Sequence, residues 1–478
     1  MSNIKRNYLY NLIYQVLAII IPFVTTPYVS RILGAEGIGA YSYTYGIVSY
    51  FAIFAATGTV NFGNREIAKL QKNKHERSVM FWQVWLFRLI CTAVVTVAYC
   101  LFVFVYSPQY KVLYIIHFFT VLSWIVDISW YFQGMEDFKV TAVRNSMIKI
   151  VGTVLVFVFV KQHDDVWMYT LIFCSTIFLG NASMWSFMKK EVERVSFAEI
   201  SLLPCVKPIM GLFLPVIAIQ IYNVLNKTML GSMNSVAEVG YYAQAEKIIQ
   251  MVLTIISSVV GVLMPRIAAL YKQHDIRQVS KYYHKAIDYI FLLSLPSIAG
   301  LWAVADIFVP IFFGPGFDAV VLLLHVLSAL FIILTLGQLF GVFLIAMDKQ
   351  NQYTIAVSVA AVVNLILNAA LIFRFGSVGV SISTLIAEFG STAIQGWYIR
   401  HLLDLKYIGK AFLHYLIPAV IMFAVVLGLK QLPLASLPLL AVCVVGGAVV
   451  YGGYLLISKD DFVYSILKIK KKKRGRHM

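Results

Sequence analysis

Apolar residues run along this chain in blocks of roughly 20, separated by short polar gaps, from one end to the other. The blocks predicted as helices are 10–32, 39–61, 81–104, 113–132, 141–160, 166–187, 208–229, 239–264, 286–307, 318–345, 354–373, 377–400, 411–430 and 437–457. Each is long enough to cross a hydrocarbon core of about 30 Å at about 1.5 Å per residue. Within a bilayer every backbone polar group needs an internal partner, so the pattern predicts an all-α integral membrane protein with about fourteen spans. Membrane-spanning strands would instead alternate in polarity over about ten residues. The first block is too long for a signal-peptide core and lacks a small-residue cleavage site, so it is expected to stay as a membrane helix. No gap exceeds roughly 20 residues, which leaves no room for a soluble catalytic or nucleotide-binding domain.

Charge adds an orientation. Thirty of the 39 Lys and Arg residues fall at the N-terminus, in alternate gaps and in the tail. The gap after the second span holds Arg65, Lys69, Lys72, Lys74 and Arg77, and the one after the eighth holds Arg266, Lys272, Arg277, Lys281 and Lys285. The intervening gaps and their edges hold only Arg31, Lys111, Lys161, Arg374 and Lys430. The positive-inside rule then puts both termini in the cytoplasm. The net charge of +17 thus serves topology and anionic headgroups, not nucleic acid. Hydrophobic residues make up 60% of the chain and charged ones 13%, which excludes a soluble domain of this length. The five cysteines form no CxxC pair and lie mostly in or beside spans, so buried thiols are expected and no metal site.

The chain repeats itself. IPFVTTPYVSRILGAEGIGAYSY near the start parallels LPVIAIQIYNVLNKTMLGSMNSVAEVGYYAQA near the middle. Pro22 matches Pro215, Leu33–Gly34 matches Leu230–Gly231, Gly39 matches Gly240, and Arg65 matches Arg266. Six spans per copy make a parallel repeat, with an axis along the membrane normal and a central cleft between two bundles. The expected organisation is an N-terminal lobe over 1–207, a C-terminal lobe over 208–410, two further spans over 411–457, and a basic cytoplasmic tail over 458–478. Pro22, Pro27, Pro215 and Pro296 each remove a helical hydrogen bond and permit a kink.

Several segments carry a resemblance: NLIYQVLAIIIPFVTTPYVSRILGAEGIGAYSY, NFGNREIAK, DISWYFQGMEDFK, and NLILNAALIFRFGSVGVSISTLIAE. In these the chain resembles the Wzx-type oligosaccharide flippases of the multidrug/oligosaccharidyl-lipid/polysaccharide exporter superfamily. The resemblance covers nearly the whole chain. It implies a MATE-like arrangement of two six-helix lobes plus two helices in the cell membrane. It also implies transfer of an undecaprenyl-pyrophosphate-linked sugar repeat from the inner to the outer leaflet, with no cofactor. Alternating access, coupling to H+ or Na+, and partnership with polysaccharide polymerase machinery are further implications.

Charges within the spans are costly and so are functional candidates. Lys247, Arg88, Lys149, Lys227 and Arg31 form the cationic set that would suit a lipid pyrophosphate, Arg through a planar fork and Lys as a point charge. For Arg88 and Lys149 the alternatives are snorkelling or pairing with Asp127; Arg31 and Lys227 are near enough to span ends to snorkel. Glu388 is the acid nearest mid-membrane, where desolvation disfavours a charged carboxylate and suits a proton carrier. Asp127 is the second ion-coupling candidate, although Trp130 and Gln133 beside it suggest a structural role. Asn364 and Asn368 share one helix face and read as hydrogen-bonding residues. Trp82, Trp85, Trp124 and Trp130, near span ends, read as an interfacial belt.

Two other functions are weighed against the flippase. An exporter of organic cations needs acidic, aromatic cavities, and deep cations outnumber deep acids here. A glycosyltransferase or repeat-unit polymerase needs an aqueous carboxylate pair or a sizeable outer loop. The adjacent acids Asp164–Asp165 and Asp460–Asp461 have no supporting domain. No GxxxxGK[ST] phosphate loop occurs, so ATP does not drive the protein directly.

Overall fold

The computed structural model describes residues 3–106, 109–273 and 275–466, and within these every regular element is helical. The basic tail from Lys468 onward, and the side chains of Lys5, Arg6, Lys139, Pro215 and Lys272, lie outside the described set. Ten helical stretches among the described residues are long and apolar enough to cross a membrane, and the chain is a multi-pass membrane protein. Two compact units, Met1–Ala243 and Gln244–Met478, divide the chain.

The first unit contains α1 (Asn3–Ala56), α2 (Thr59–Lys69), α3 (Lys74–Leu101), α4 (Lys111–Ile116), α5 (Phe118–Val126), α6 (Ser129–Gly134), α7 (Phe138–Phe159), α8 (Val166–Ser183), α9 (Trp185–Glu191) and α10 (Leu203–Met233). It also takes the first turns of α11 (Val236–Lys272). α1 is two helices in direct succession. Gly34 breaks it with φ 65° and ψ −178°, a conformation that side chains with a Cβ resist. The first two expected spans are therefore joined at a single residue. Polar residues of the gaps cap the next helix along: the Asn73 side chain accepts from the Glu76 N–H at 3.3 Å to start α3.

α1 packs on α3, α5, α7 and α10, while α5 and α7 both pack on α8. Two apolar cores result. One gathers Val48, Tyr99, Val103, Tyr114 and Val121. The other is aromatic: Phe81 stacks on Trp130 at 5.6 Å between centroids, and Tyr131 and Trp185 meet Phe81 edge-on. Trp130 is fully buried, which corrects the interfacial reading for that residue. The reason is Gly63 on α2: a Cβ there would sit 2.4 Å from the Trp130 ring, so the missing side chain makes the indole's seat.

The start of α11 crosses the second half of α1 at very short range. A Cβ on Gly39 would lie 1.8 Å from the Val236 carbonyl oxygen, and one on Gly240 would lie 2.0 Å from the Ala35 carbonyl oxygen. Each glycine thus covers the residue four positions before the other. The two glycines paired by the sequence repeat make one reciprocal, pseudo-symmetric contact.

The second unit holds the rest of α11 and α12 (Ile276–Phe313), α13 (Ala319–Leu327), α14 (Leu330–Ala346), α15 (Gln350–Tyr398), α16 (Leu405–Leu429), α17 (Ser436–Ile457) and α18 (Asp461–Ile466). Asp275 caps α12 by accepting from Gln278 N–H at 3.1 Å, and Asp404 caps α16 through Tyr407 N–H at 3.0 Å. α15 repeats the device of α1: Gly376, with φ 52°, divides it into two runs. α12 is the hub, against α13, α14, α16 and α17, and α15 packs on α13 and α14. The apolar core runs along α12, α14 and α16 and includes Ile287, Phe291, Leu339, Phe343, Tyr415 and Met422.

Candidate functional site

Arg88 is the most completely enclosed of the candidate cations, with no exposed surface. Asp127 adopts an extended conformation (φ −74°, ψ 109°) that ends α5. Its Oδ1 accepts from the Ser129 N–H at 3.0 Å and so begins α6. The break turns Asp127 toward α3. Arg88 Nη1 donates to the Asp127 carbonyl, and to Asp127 Oδ2 at 3.4 Å; Nε donates to Thr59 Oγ1 at 2.8 Å. The guanidinium carbon lies 5.8 Å from the centre of the Trp124 ring. Nη2 is buried without a hydrogen-bond partner among the described residues. Of the two readings left open by the sequence, this conformation has the pairing of Arg88 with Asp127. Asp127 is at once an acceptor for the first N–H of α6 and a counter-ion.

The other candidates of the first unit lie on separate helices. Arg31 is exposed just before the Gly34 break. Lys149 is half-buried on α7. On the same helix, Arg144 donates to Asn181 Oδ1 at 2.7 Å, and Asn181 donates to the Ser123 carbonyl at 3.2 Å, which ties α7, α8 and α5 together. Lys227 is half-buried on α10, where that helix presses on α1. A Cβ on Gly46 would be 3.0 Å from Thr228 and 4.0 Å from the Lys227 Cβ. One turn along, Tyr50 Oη and Thr228 Oγ1 are hydrogen-bonded at 2.8 Å. The Lys227 charge lies close enough to act on the Tyr45 hydroxyl.

Beside Lys227 is a polar and aromatic knot that sequence reading missed. Tyr41 and Tyr45 stack at 5.9 Å, and His117 packs within 6.2 Å of both. His117 is fully buried at the α4–α5 junction. Its Nε2 is 3.4 Å from Thr44 Oγ1, and its Nδ1 is 3.3 Å from Cys174 Sγ. A histidine four residues into an apolar block was the available signal. Tyr45 keeps 37% of its surface exposed, so the knot has an open side.

In the second unit, Lys247 and Glu246 are half-buried on α11, and Glu388 is half-buried on α15. Glu388 lies near enough to Tyr353 to act on its hydroxyl. The Tyr353 ring packs over Gly341. Asn368 donates to Asn364 Oδ1 at 3.1 Å, and both residues are fully buried on α15, which also buries Ser381, Ser383 and Gln395. No cluster of metal-binding side chains occurs among the described residues.

A profile of the polysaccharide biosynthesis protein family matches residues 4–271, more than half of the chain. The chain belongs to that family. Membership agrees with the resemblance to Wzx-type flippases carried by the sequence. It is 22% identical over 405 residues to the "Putative O-antigen transporter" of Escherichia coli strain K12, covering 84% of this chain and 97% of that protein. Its fold matches that of the lipid II flippase MurJ in an inward closed conformation, with TM-score 0.68 and 17% identity over 94% of this chain and all of the other. It also matches an inward-facing multidrug resistance MATE family transporter of the MOP superfamily, with TM-score 0.61 and 15% identity over 85% of this chain and 95% of the other. The expected MATE-like, all-helical class is therefore the observed one.

Proposed function

We propose that this family member is a flippase for lipid-linked oligosaccharides. It moves undecaprenyl-pyrophosphate-linked repeat units from the cytoplasmic to the outer leaflet by alternating access, for surface polysaccharide synthesis. The observation that carries the proposal is family membership. The long match to an O-antigen transporter and the fold shared with a lipid II flippase agree with it. The termini face the cytoplasm in this reading, because the basic gaps alternate.

Lys247, Lys149, Lys227 and Arg31 supply positive charge to the pyrophosphate as it passes. Each half-buried ammonium has a flexible stem, so one group can follow a moving phosphate. Arg88 acts differently in the observed conformation. Bound to Asp127, it holds α3 against the α5–α6 break, and a phosphate would have to displace Asp127 to reach it. Tyr41 and Tyr45 offer ring faces to sugars beside Lys227. Glu388 is the carrier for a coupling proton, with Tyr353 as its neighbour. The chemical asymmetry is the argument against an exporter of organic cations: the deep candidates are mostly cationic.

The test is depletion of the protein in its host, followed by extraction of lipid-linked sugars. Repeat units accumulating on undecaprenyl pyrophosphate in the cytoplasmic leaflet, with loss of surface polysaccharide, is the expected result. Unchanged intermediates together with new sensitivity to organic cations would overturn the proposal in favour of a drug exporter.

A further inference from the structure

At the N-terminal end of α12 is an open pocket of about 620 Å³, lined by Arg277, Lys281, His284, Lys285, Asp288 and, from α16, Tyr407. Arg277, Lys281 and Lys285 follow one another at four-residue steps, so three cations stack on one face of α12. Like charges at that spacing repel and weaken a bare helix. The wall behind them is fixed. His284 stacks on Tyr407 at 3.8 Å between centroids, and Tyr407 donates to Asp288 Oδ2 at 2.6 Å. The acid inside the pocket is thus already engaged, and the cations face the opening as exposed side chains.

The same two helices carry a second feature one turn further on. An apolar groove of about 530 Å³ runs between α12, α16 and α17, with Leu292, Pro296, Met422, Val426, Gly447 and Tyr451 among its walls. Steps of three and four residues from Lys281 through Lys285, Asp288 and Leu292 to Pro296 keep pocket and groove on adjoining parts of one α12 face. From Lys285 to Gly300 the helix rises about 22 Å. That is half of a bilayer about 40–45 Å thick with its headgroups, or one leaflet.

We infer that pocket and groove together bind one anionic phospholipid of cardiolipin chemistry, with its phosphates on Arg277, Lys281 and Lys285 and an acyl chain along α12, α16 and α17. A free phosphate would use the pocket and leave the groove without a role. A neutral lipid would use the groove and leave three cations unneutralised. Basic pockets between membrane helices on the cytoplasmic side are suited to such headgroups. The site lies wholly within the second unit and does not depend on what the protein transports.

The experiment uses the full chain, purified and stripped of lipid, with thermal unfolding followed as each probe is added. The probes are cardiolipin, phosphatidylcholine, inorganic pyrophosphate and farnesyl pyrophosphate. Cardiolipin alone is expected to raise the midpoint strongly. The double variant Lys281→Gln/Lys285→Gln should bind it about thirtyfold more weakly. Without lipid the variant should unfold no earlier than wild type, because it loses a like-charge contact. A single Lys281→Gln variant, weakened about fivefold, serves if the double variant folds poorly. The control Lys189→Gln/Lys349→Gln should behave as wild type. Equal stabilisation by inorganic pyrophosphate would overturn the lipid assignment, as would a preference for farnesyl pyrophosphate. Undiminished cardiolipin binding in the α12 variants would overturn the site.

Discussion

Arg88 and Asp127 form a buried ion pair in the first unit, with the carboxylate also accepting from the Ser129 N–H at the start of α6. Removing one partner of such a pair leaves an uncompensated charge, which typically costs about 3–5 kcal/mol. Arg88→Ala should therefore lower the unfolding midpoint of the purified protein sharply. Arg88→Lys should recover only part, because a point charge cannot serve Thr59 and Asp127 together as the planar fork does. Denaturant or thermal unfolding in detergent checks both. A variant as stable as wild type would show that the pair does not hold α3 in place.

Gly39 and Gly240 make the second prediction. Adding a methyl group to either drives it into the backbone carbonyl of the other helix. Overpacking of this sort costs about 1–3 kcal/mol. Gly39→Ala and Gly240→Ala should each destabilise by that amount. The double variant should cost less than the sum, since the first substitution already separates α1 from α11. Unfolding of the three variants measures the coupling directly.

Transport should respond to the half-buried lysines. A hydrogen bond to a charged group contributes about 1.5–3 kcal/mol. Loss of one phosphate contact by Lys247→Ala should therefore weaken substrate binding about ten- to a hundredfold. Lys247→Arg should retain most activity. Surface polysaccharide in cells with matched protein levels is the readout, and wild-type amounts in Lys247→Ala would remove that residue from the transport path.

A fourth prediction concerns pH. In the short link before α8, Asp165 Oδ2 accepts from the N–H groups of Lys161 at 2.7 Å and Gln162 at 2.8 Å. These bonds hold its carboxyl below the usual carboxylate range. A depressed value means the stabilisation is fully present above the unfolded carboxyl's pKa of about 3.9 and is lost as pH falls through the folded value. Asp165→Asn should thus be less stable than wild type at neutral pH, and the two midpoints should converge in acid. A gap independent of pH would assign the effect to shape instead of charge.

The apolar blocks were legible because a membrane helix must be apolar over its whole length, and each block falls on described helices. The breaks at Gly34 and Gly376 were less so. The sequence places short gaps there, yet a single left-handed glycine suffices in each. Arg88 was visible as a costly residue, but its partner depended on how α5 ends at Asp127, which hydropathy does not report. Trp130 illustrates the same limit: its burial depends on Gly63, 67 positions earlier, and nothing local marks that pairing. His117 was readable as an intramembrane polar residue, but its partners Thr44 and Cys174 come from distant helices that no local pattern joins to it.

The aromatic core of the first unit has a spectroscopic consequence. Of the eight tryptophans, Trp85 meets both Trp82 and Trp185, and Phe81 meets Trp82, Trp185 and Trp130. Trp124 and Trp167 belong to the same unit, which leaves only Trp302 and Trp397 in the other. Intrinsic emission from this protein is thus weighted toward its N-terminal half. Energy transfer among the clustered indoles should make that light depolarised and sensitive to a disturbance at any one of them. A fluorescence change on adding substrate or lipid would report chiefly on that half, and events in the other would need an introduced dye to be seen.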